Sequence, residues 1–198
     1  MYTEASESPE AFHLWCGLSA VAAALGRAVF LDRGYYTLFP NLFVVLVASS
    51  AVSRKSTAIG LSTSFHKLAF PEAFYIGQKI TTEAFIHALA GHYKKHKESV
   101  GYIVADEMSV FLGSSTHDTT LMQLLTKAYD SPENFDYHTI SRSREVCDRV
   151  CINMLAGSTI DWMRDSMPAR AVGGGFTSRI IFVCRARGWR KNAFPELT

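Results

Sequence analysis

Five consecutive residues, Ser53, Arg54, Lys55, Ser56 and Thr57, give this chain its clearest capacity for chemistry. They follow an apolar run at 42–48 and precede a helix-like stretch at 58–68. Strand, small-residue turn, Lys-Ser and helix is the layout of a phosphate-binding loop. Phosphate asks for backbone N–H donors, the positive end of a helix and a mobile cation. Lys55 would reach the β- and γ-phosphates, and the Ser56 hydroxyl would bind magnesium, with Thr57 as the fallback oxygen. Ser50, Ala51, Ser53 and Arg54 would bring the loop backbone close to the nucleotide. The turn at 48–54 contains no glycine. Glycine permits the positive φ and close approach that such loops use, and a bulkier residue held left-handed costs about 1–2 kcal/mol. Arg54 stands where the last glycine is expected. The competing reading is an ordinary strand-to-helix turn with a solvated Arg-Lys pair.

Three further groups complete a possible site. An apolar strand at 102–105 ends in Asp106 and Glu107, about 50 residues after Lys55. Adjacent carboxylates at the end of a buried strand need cations or metal to offset desolvation. Asp106 would hold the magnesium shell, and Glu107 would orient or deprotonate an attacking water. A second apolar strand, starting at 146, ends in Ser158 and Thr159. Either hydroxyl would sense the γ-phosphate, or cap the helix that begins near Ile160. Asn153 lies mid-strand and is the weaker candidate. Last, a glycine-rich turn at 173–175 leads to Arg179, whose guanidinium would stabilise a transferring phosphate from its own or a neighbouring subunit. The alternative there is a surface arginine on a hairpin-like turn.

Other clusters read as structural. His92 and His96 are four apart, but the basic helix end around them argues against metal. Cys147 and Cys151 would pack on one strand face. Arg142, Arg144 and Arg149 flank a possible strand turn, either at a solvated edge or facing nucleic acid.

The elements that must position these groups alternate between strand and helix. A buried helix is expected from Ser8, as N-cap, to Gly26, with Pro9 at its first position. Strands are expected at 28–31, 42–47, 73–76, 100–105, 135–140, 146–156 and 178–184. Helices are expected after Lys55, from Thr81 to the basic run at 92–97, at 119–129 and at 160–167. This alternation predicts an α/β domain with a mainly parallel sheet and helices on both faces. Ligands in such sheets bind at the carboxyl ends of the strands, where the candidate motifs are all expected to fall.

At 198 residues, with 48% hydrophobic and 19% charged residues, the chain suits one globular domain. Its apolar runs are too short to span a membrane, and the polar, acidic residues 1–10 are no secretory signal. Four cysteines without a Cys-x-x-Cys pair suggest reduced core thiols in the cytoplasm. The net charge is only +2, but residues 137–198 hold ten Lys/Arg against five Asp/Glu. That basic third suits phosphates of nucleotide or nucleic acid.

Taken in order, these segments resemble the P-loop ATPase domains of phages, plasmids and integrated elements, described as replicative helicase-like proteins. The resemblance runs from about residue 10 to 187. It rests on the run at 39–47, Ser-Arg-Lys-Ser-Thr, the Ile80-Thr-Thr-Glu stretch, Val104-Ala-Asp-Glu, the segment 124–130, Leu155-Ala-Gly-Ser-Thr and the stretch 174–179. It implies a RecA-like or AAA+-like three-layer core at 39–187 behind a helical extension at 1–38, excised from a longer protein. It further implies ATP with Mg2+, assembly into a homo-oligomeric ring, DNA as partner and no membrane. By matching motif, Lys55 and Ser56 form the first nucleotide motif, Asp106 and Glu107 the second, and Arg179 a finger across a subunit interface. Two rival expectations stand beside it: a degenerate nucleotide-binding or assembly module without turnover, and a P-loop kinase with a lid from Arg164, Arg170 and the Gly173 loop.

Overall fold

A computed structural model describes residues 3, 6–49, 53–113, 120–139, 142–165, 167 and 174–184. The helices are α1 (Glu10–Leu25), α2 (Lys55–Ala69), α3 (Thr82–His96), α4 (Met108–Leu112), α5 (Thr120–Tyr129) and α6 (Ile160–Asp165). The strands are β1 (Leu31–Asp32), β2 (Thr37–Leu38), β3 (Phe43–Val47), β4 (Tyr75–Ile76), β5 (Ser99–Ala105), β6 (Asp136–Thr139), β7 (Arg142–Val146), β8 (Val150–Ser158) and β9 (Ile180–Cys184).

The apolar run at 43–47 is buried along its whole length, as a strand covered on both faces must be. It lies inside a five-stranded sheet of order β4-β5-β8-β3-β9, in which every pairing is parallel. Side chains alternate across the sheet. Val44 and Leu46 pack with Phe12 and Cys16 of α1 and with Ala58 and Ile59 of α2. Phe43, Val45 and Val47 pack on the other face, with Phe85 and Leu89 of α3, Met108 and Phe111 of α4, and Leu125 of α5. The result is a three-layer α/β arrangement, helices on both faces of a parallel sheet. Among the described residues no helix is long and apolar enough to cross a membrane.

Several boundaries depart from expectation. Ser8 is not the cap of α1: Pro9 occupies that position without a side-chain cap bond, and the Ser8 hydroxyl donates instead to the Arg54 carbonyl at 2.7 Å. Helix α2 begins at Lys55 itself. The strand expected from 146 begins at Val150. Before it, Arg142–Val146 turns back to pair antiparallel with Asp136–Thr139. Tertiary hydrogen bonds set this break: Phe135 N–H donates to Asp148 Oδ1 at 3.0 Å, and Arg149 N–H to the Glu133 carbonyl at 2.9 Å. Arg149 accordingly sits left-handed, at φ 55°. Cys16, Cys147 and Cys151 are buried, as read, whereas Cys184 is exposed at the end of the sheet. Burial pushes the Cys16 thiol up to about 12 and Cys151 to about 11, so both stay protonated.

Candidate functional site

The position of the site follows from the strand order. β3 sends the chain through α2, on the face shared with α1, out to the edge strand β4. Its neighbour β8 sends the chain through α6, on the opposite face, across β3 to β9. Connections that leave adjacent strands in opposite directions open a crevice at their carboxyl ends, where ligands of open α/β sheets bind. Val47 and Ser158 are register partners at that end. The Lys55 loop leaves from one and the Ser158-Thr159 pair ends the other.

Arg54 has the backbone that the sequence assigned to a missing glycine. Its φ of 45° and ψ of 42° are left-handed. The residues before α1 hold it there. Besides the Ser8 hydroxyl on its carbonyl, its Nε donates to Glu7 Oε2 at 2.6 Å. The same carbonyl accepts the Thr57 and Ala58 N–H groups that start α2. Lys55 is buried, and its Nζ donates to the Ala48 carbonyl at 2.7 Å. Burial pulls the Lys55 ammonium below the usual lysine range, and Glu107 opposes that shift. Ser53 is 1% exposed and its Oγ has no hydrogen-bond partner among the described residues. Ser56 and Thr57 are exposed on the first turn of α2. Ser50 and Ala51 lie outside the described residues.

Asp106 and Glu107 directly follow β5, which is separated from β3 by β8 alone. Two strand spacings place the carboxylates roughly 10 Å across the sheet from the β3 end. Gly157 lets the β5 exit pass close: a Cβ there would collide with the Asp106 carbonyl oxygen. Gln78, just past the edge strand β4, grips Asp106 twice. Its Nε2 donates to Asp106 Oδ2 at 2.9 Å, and its Oε1 accepts the Asp106 N–H at 2.8 Å. Glu107 precedes α4 without capping it. Burial raises its carboxyl above the ordinary glutamate range, with Lys55 pulling the other way. The two residues are 52 positions apart in sequence. Neither Gln78 nor Gly157 stood out in the sequence. Gln78 has no motif of its own, and Gly157 was one small residue among several.

Thr159 is an N-cap, its Oγ1 accepting the Trp162 N–H at 3.2 Å, while Ser158 is fully buried at the crevice floor, its hydroxyl making, among the described residues, a 3.5 Å contact to the Thr159 carbonyl. Asn153 serves the sheet, accepting the Leu42 N–H at 2.8 Å. Arg179 corrects the expectation that all motifs share one edge. It ends a 3-10 turn (Thr177–Arg179) at the amino end of β9, beside the Phe43 end of β3. Six residues of strand rise put it roughly 20 Å from the Lys55 end. There its Nε and Nη2 donate to Asp130 at 3.0–3.1 Å and its Nη1 to the Gly175 carbonyl. Arg164 pairs with Asp161 and Asp165 on α6. Arg170 and Gly173, the rest of the kinase lid, lie outside the described residues, as do the side chains of Arg142 and Arg144. His92 and His96 stack on one another, and among the described residues no three His, Cys, Asp or Glu side chains gather as a metal cluster.

A cavity of about 400 Å³ lies at the other edge of the sheet, lined by His66, Phe74, His92 and Tyr102 among others. Glu72, His96 and Glu98 also line it, whereas Lys55, Asp106 and Glu107 gather at the carboxyl ends of the strands. The chemistry of this donor set would suit a magnesium nucleotide: the buried Ser53 hydroxyl, without a partner among the described residues, sits within the loop, Lys55 would supply the cation, and Ser56 with Asp106 would offer the hard oxygen donors magnesium takes. No protein-family model matches this chain, and neither does any curated protein sequence.

Proposed function

We propose that the chain is a magnesium-dependent P-loop ATPase of RecA-like or AAA+-like type, whose turnover drives movement along DNA in phage or plasmid replication. One observation carries the reading. Lys55, which opens α2 after β3, and Glu107, which follows β5, are far apart in sequence yet lie at the same carboxyl end of the parallel sheet, beside the point where adjacent strands β3 and β8 diverge. The α2 N-terminus and Lys55 would hold the β- and γ-phosphates, and Ser56 and Asp106 would hold the ion's shell. Magnesium, when bound, neutralises charge on the transferring phosphoryl group. Glu107, with its carboxyl lifted by burial, is poised to accept the proton of a water positioned beside it. Ser158 would contact the γ-phosphate from the crevice floor. Arg179, on the far edge, could serve only the nucleotide of a neighbouring copy in a ring.

ATP turnover of the wild-type protein against Lys55→Ala and Glu107→Gln is the test. Glu107→Gln should lower turnover by about 10²–10⁴ while still binding nucleotide, and Lys55→Ala should lose both. Equal turnover in all three overturns the ATPase reading. A second reading has its own observation. Arg54 occupies a glycine conformation and Lys55 is tied back to Ala48, as in a binding or assembly module that no longer turns over. Binding of ATP by wild type, with no turnover in any oligomeric state, would select that reading.

A further inference from the structure

We propose that Gln78 is the residue that positions Asp106 and biases the site toward magnesium over calcium. The inference rests on the reading of Lys55, Ser56 and Asp106 as a magnesium–nucleotide site. The two hydrogen bonds between Gln78 and Asp106 close a ring: amide oxygen to backbone N–H at 2.8 Å, amide nitrogen to carboxylate Oδ2 at 2.9 Å. A side chain held by its own backbone and its own carboxylate through one partner loses its freedom to rotate. The partner follows a different strand, β4, which lies beside β5 in register at Tyr75–Tyr102 and Ile76–Ile103. The sheet therefore delivers Gln78 and Asp106 to the same edge, although they are 28 residues apart.

The grip has a chemical consequence. The amide takes one lone pair of Oδ2 and, with the backbone bond, fixes the rotation of the Asp106 carboxylate, which leaves Oδ1 the freer oxygen for a cation or its water shell. Magnesium demands octahedral geometry, keeps several waters and is served by one-oxygen contact from one or two carboxylates. Calcium is larger and gains from carboxylates that chelate through both oxygens. Gln78 competes for the second oxygen and holds the carboxylate still, so it disfavours two-oxygen chelation, which calcium uses and magnesium does not need. Gln78 is exposed, and a substitution there leaves the fold intact.

The test measures binding of a fluorescent ATP analogue to wild type and Gln78→Ala, titrated with magnesium, with calcium and without metal. Thermal unfolding of both proteins accompanies it. The expected result is unchanged metal-free binding, and a ratio of magnesium to calcium midpoints that moves about tenfold toward calcium in the variant. A merely structural role would weaken both metals alike and leave the ratio where it was. That outcome, or a variant identical to wild type, overturns the role of Gln78 while leaving the nucleotide site standing. If wild type binds the analogue with neither metal nor without it, the nucleotide reading fails and this inference fails with it.

Discussion

Substitution at Arg54 measures the cost of a phosphate-type loop made without glycine. The residue is left-handed, at φ 45° and ψ 42°, a conformation that costs an L-residue about 1–2 kcal/mol. Arg54→Gly relieves that strain. It also removes the ion pair with Glu7, whose Arg54 side is 58% exposed and therefore contributes at most about 1 kcal/mol. Glycine further gains about 0.5–1 kcal/mol of freedom in the unfolded chain. These terms nearly cancel, so Arg54→Gly should lie within about 1 kcal/mol of wild type. Arg54→Ala loses the same ion pair and keeps the strain. The glycine variant should therefore exceed the alanine variant by about 1 kcal/mol, or about 2–4 °C in Tm for a domain of this size. Urea and thermal unfolding of the three proteins read this directly, and the glycine–alanine comparison is free of the ion pair. An alanine variant as stable as the glycine variant would refute a left-handed Arg54.

Gly157→Ala forces a Cβ against the Asp106 carbonyl oxygen. The ends of β5 and β8 must separate, which should cost about 1–3 kcal/mol and weaken magnesium-dependent nucleotide binding; unaltered unfolding and binding would show the approach to be loose. His66 is buried, and burial lowers its pKa. The unfolded chain then takes up the proton first, so this stabilisation is complete above pH of about 6.5 and is lost as pH falls through the folded value. Tm should drop on acidification below that point, and less steeply in His66→Gln; parallel pH profiles for the two proteins would exclude His66 as a source.

The layered fold was legible because its signals are local. The buried run at 43–47, the Thr81 cap, whose Oγ1 accepts the Ala84 N–H, and the acidic end of β5 each follow from residue type and spacing. What escaped depends on tertiary partners. Ser8 has the right chemistry for an N-cap, and nothing nearby in sequence shows that the Arg54 carbonyl competes for its hydroxyl. The break before β8 comes from bonds to Phe135 and Glu133, which no periodicity records. Arg179 was placed with the other motifs by its glycine-rich neighbourhood. In a parallel sheet, an arginine at the start of a strand belongs to the opposite edge from carboxylates at the end of one. Gln78 acquires meaning only once β4 pairs with β5.

The place of β3 also bears on how the chain is made. Both of its sheet neighbours, β8 and β9, lie well after it in sequence, and Phe12 of α1 shares a core with Leu155 and Val183. A polypeptide emerging from the ribosome exposes its most apolar strand long before either flank exists. At about 5–20 residues per second, that interval is on the order of 10 s. Nascent chains that stall between α3 and β8 would present Phe43–Val47 with two unpaired edges, the kind of surface that recruits chaperones or other nascent chains. Completion of β9, rather than appearance of the Lys55 loop, is the step that makes the protein safe to release.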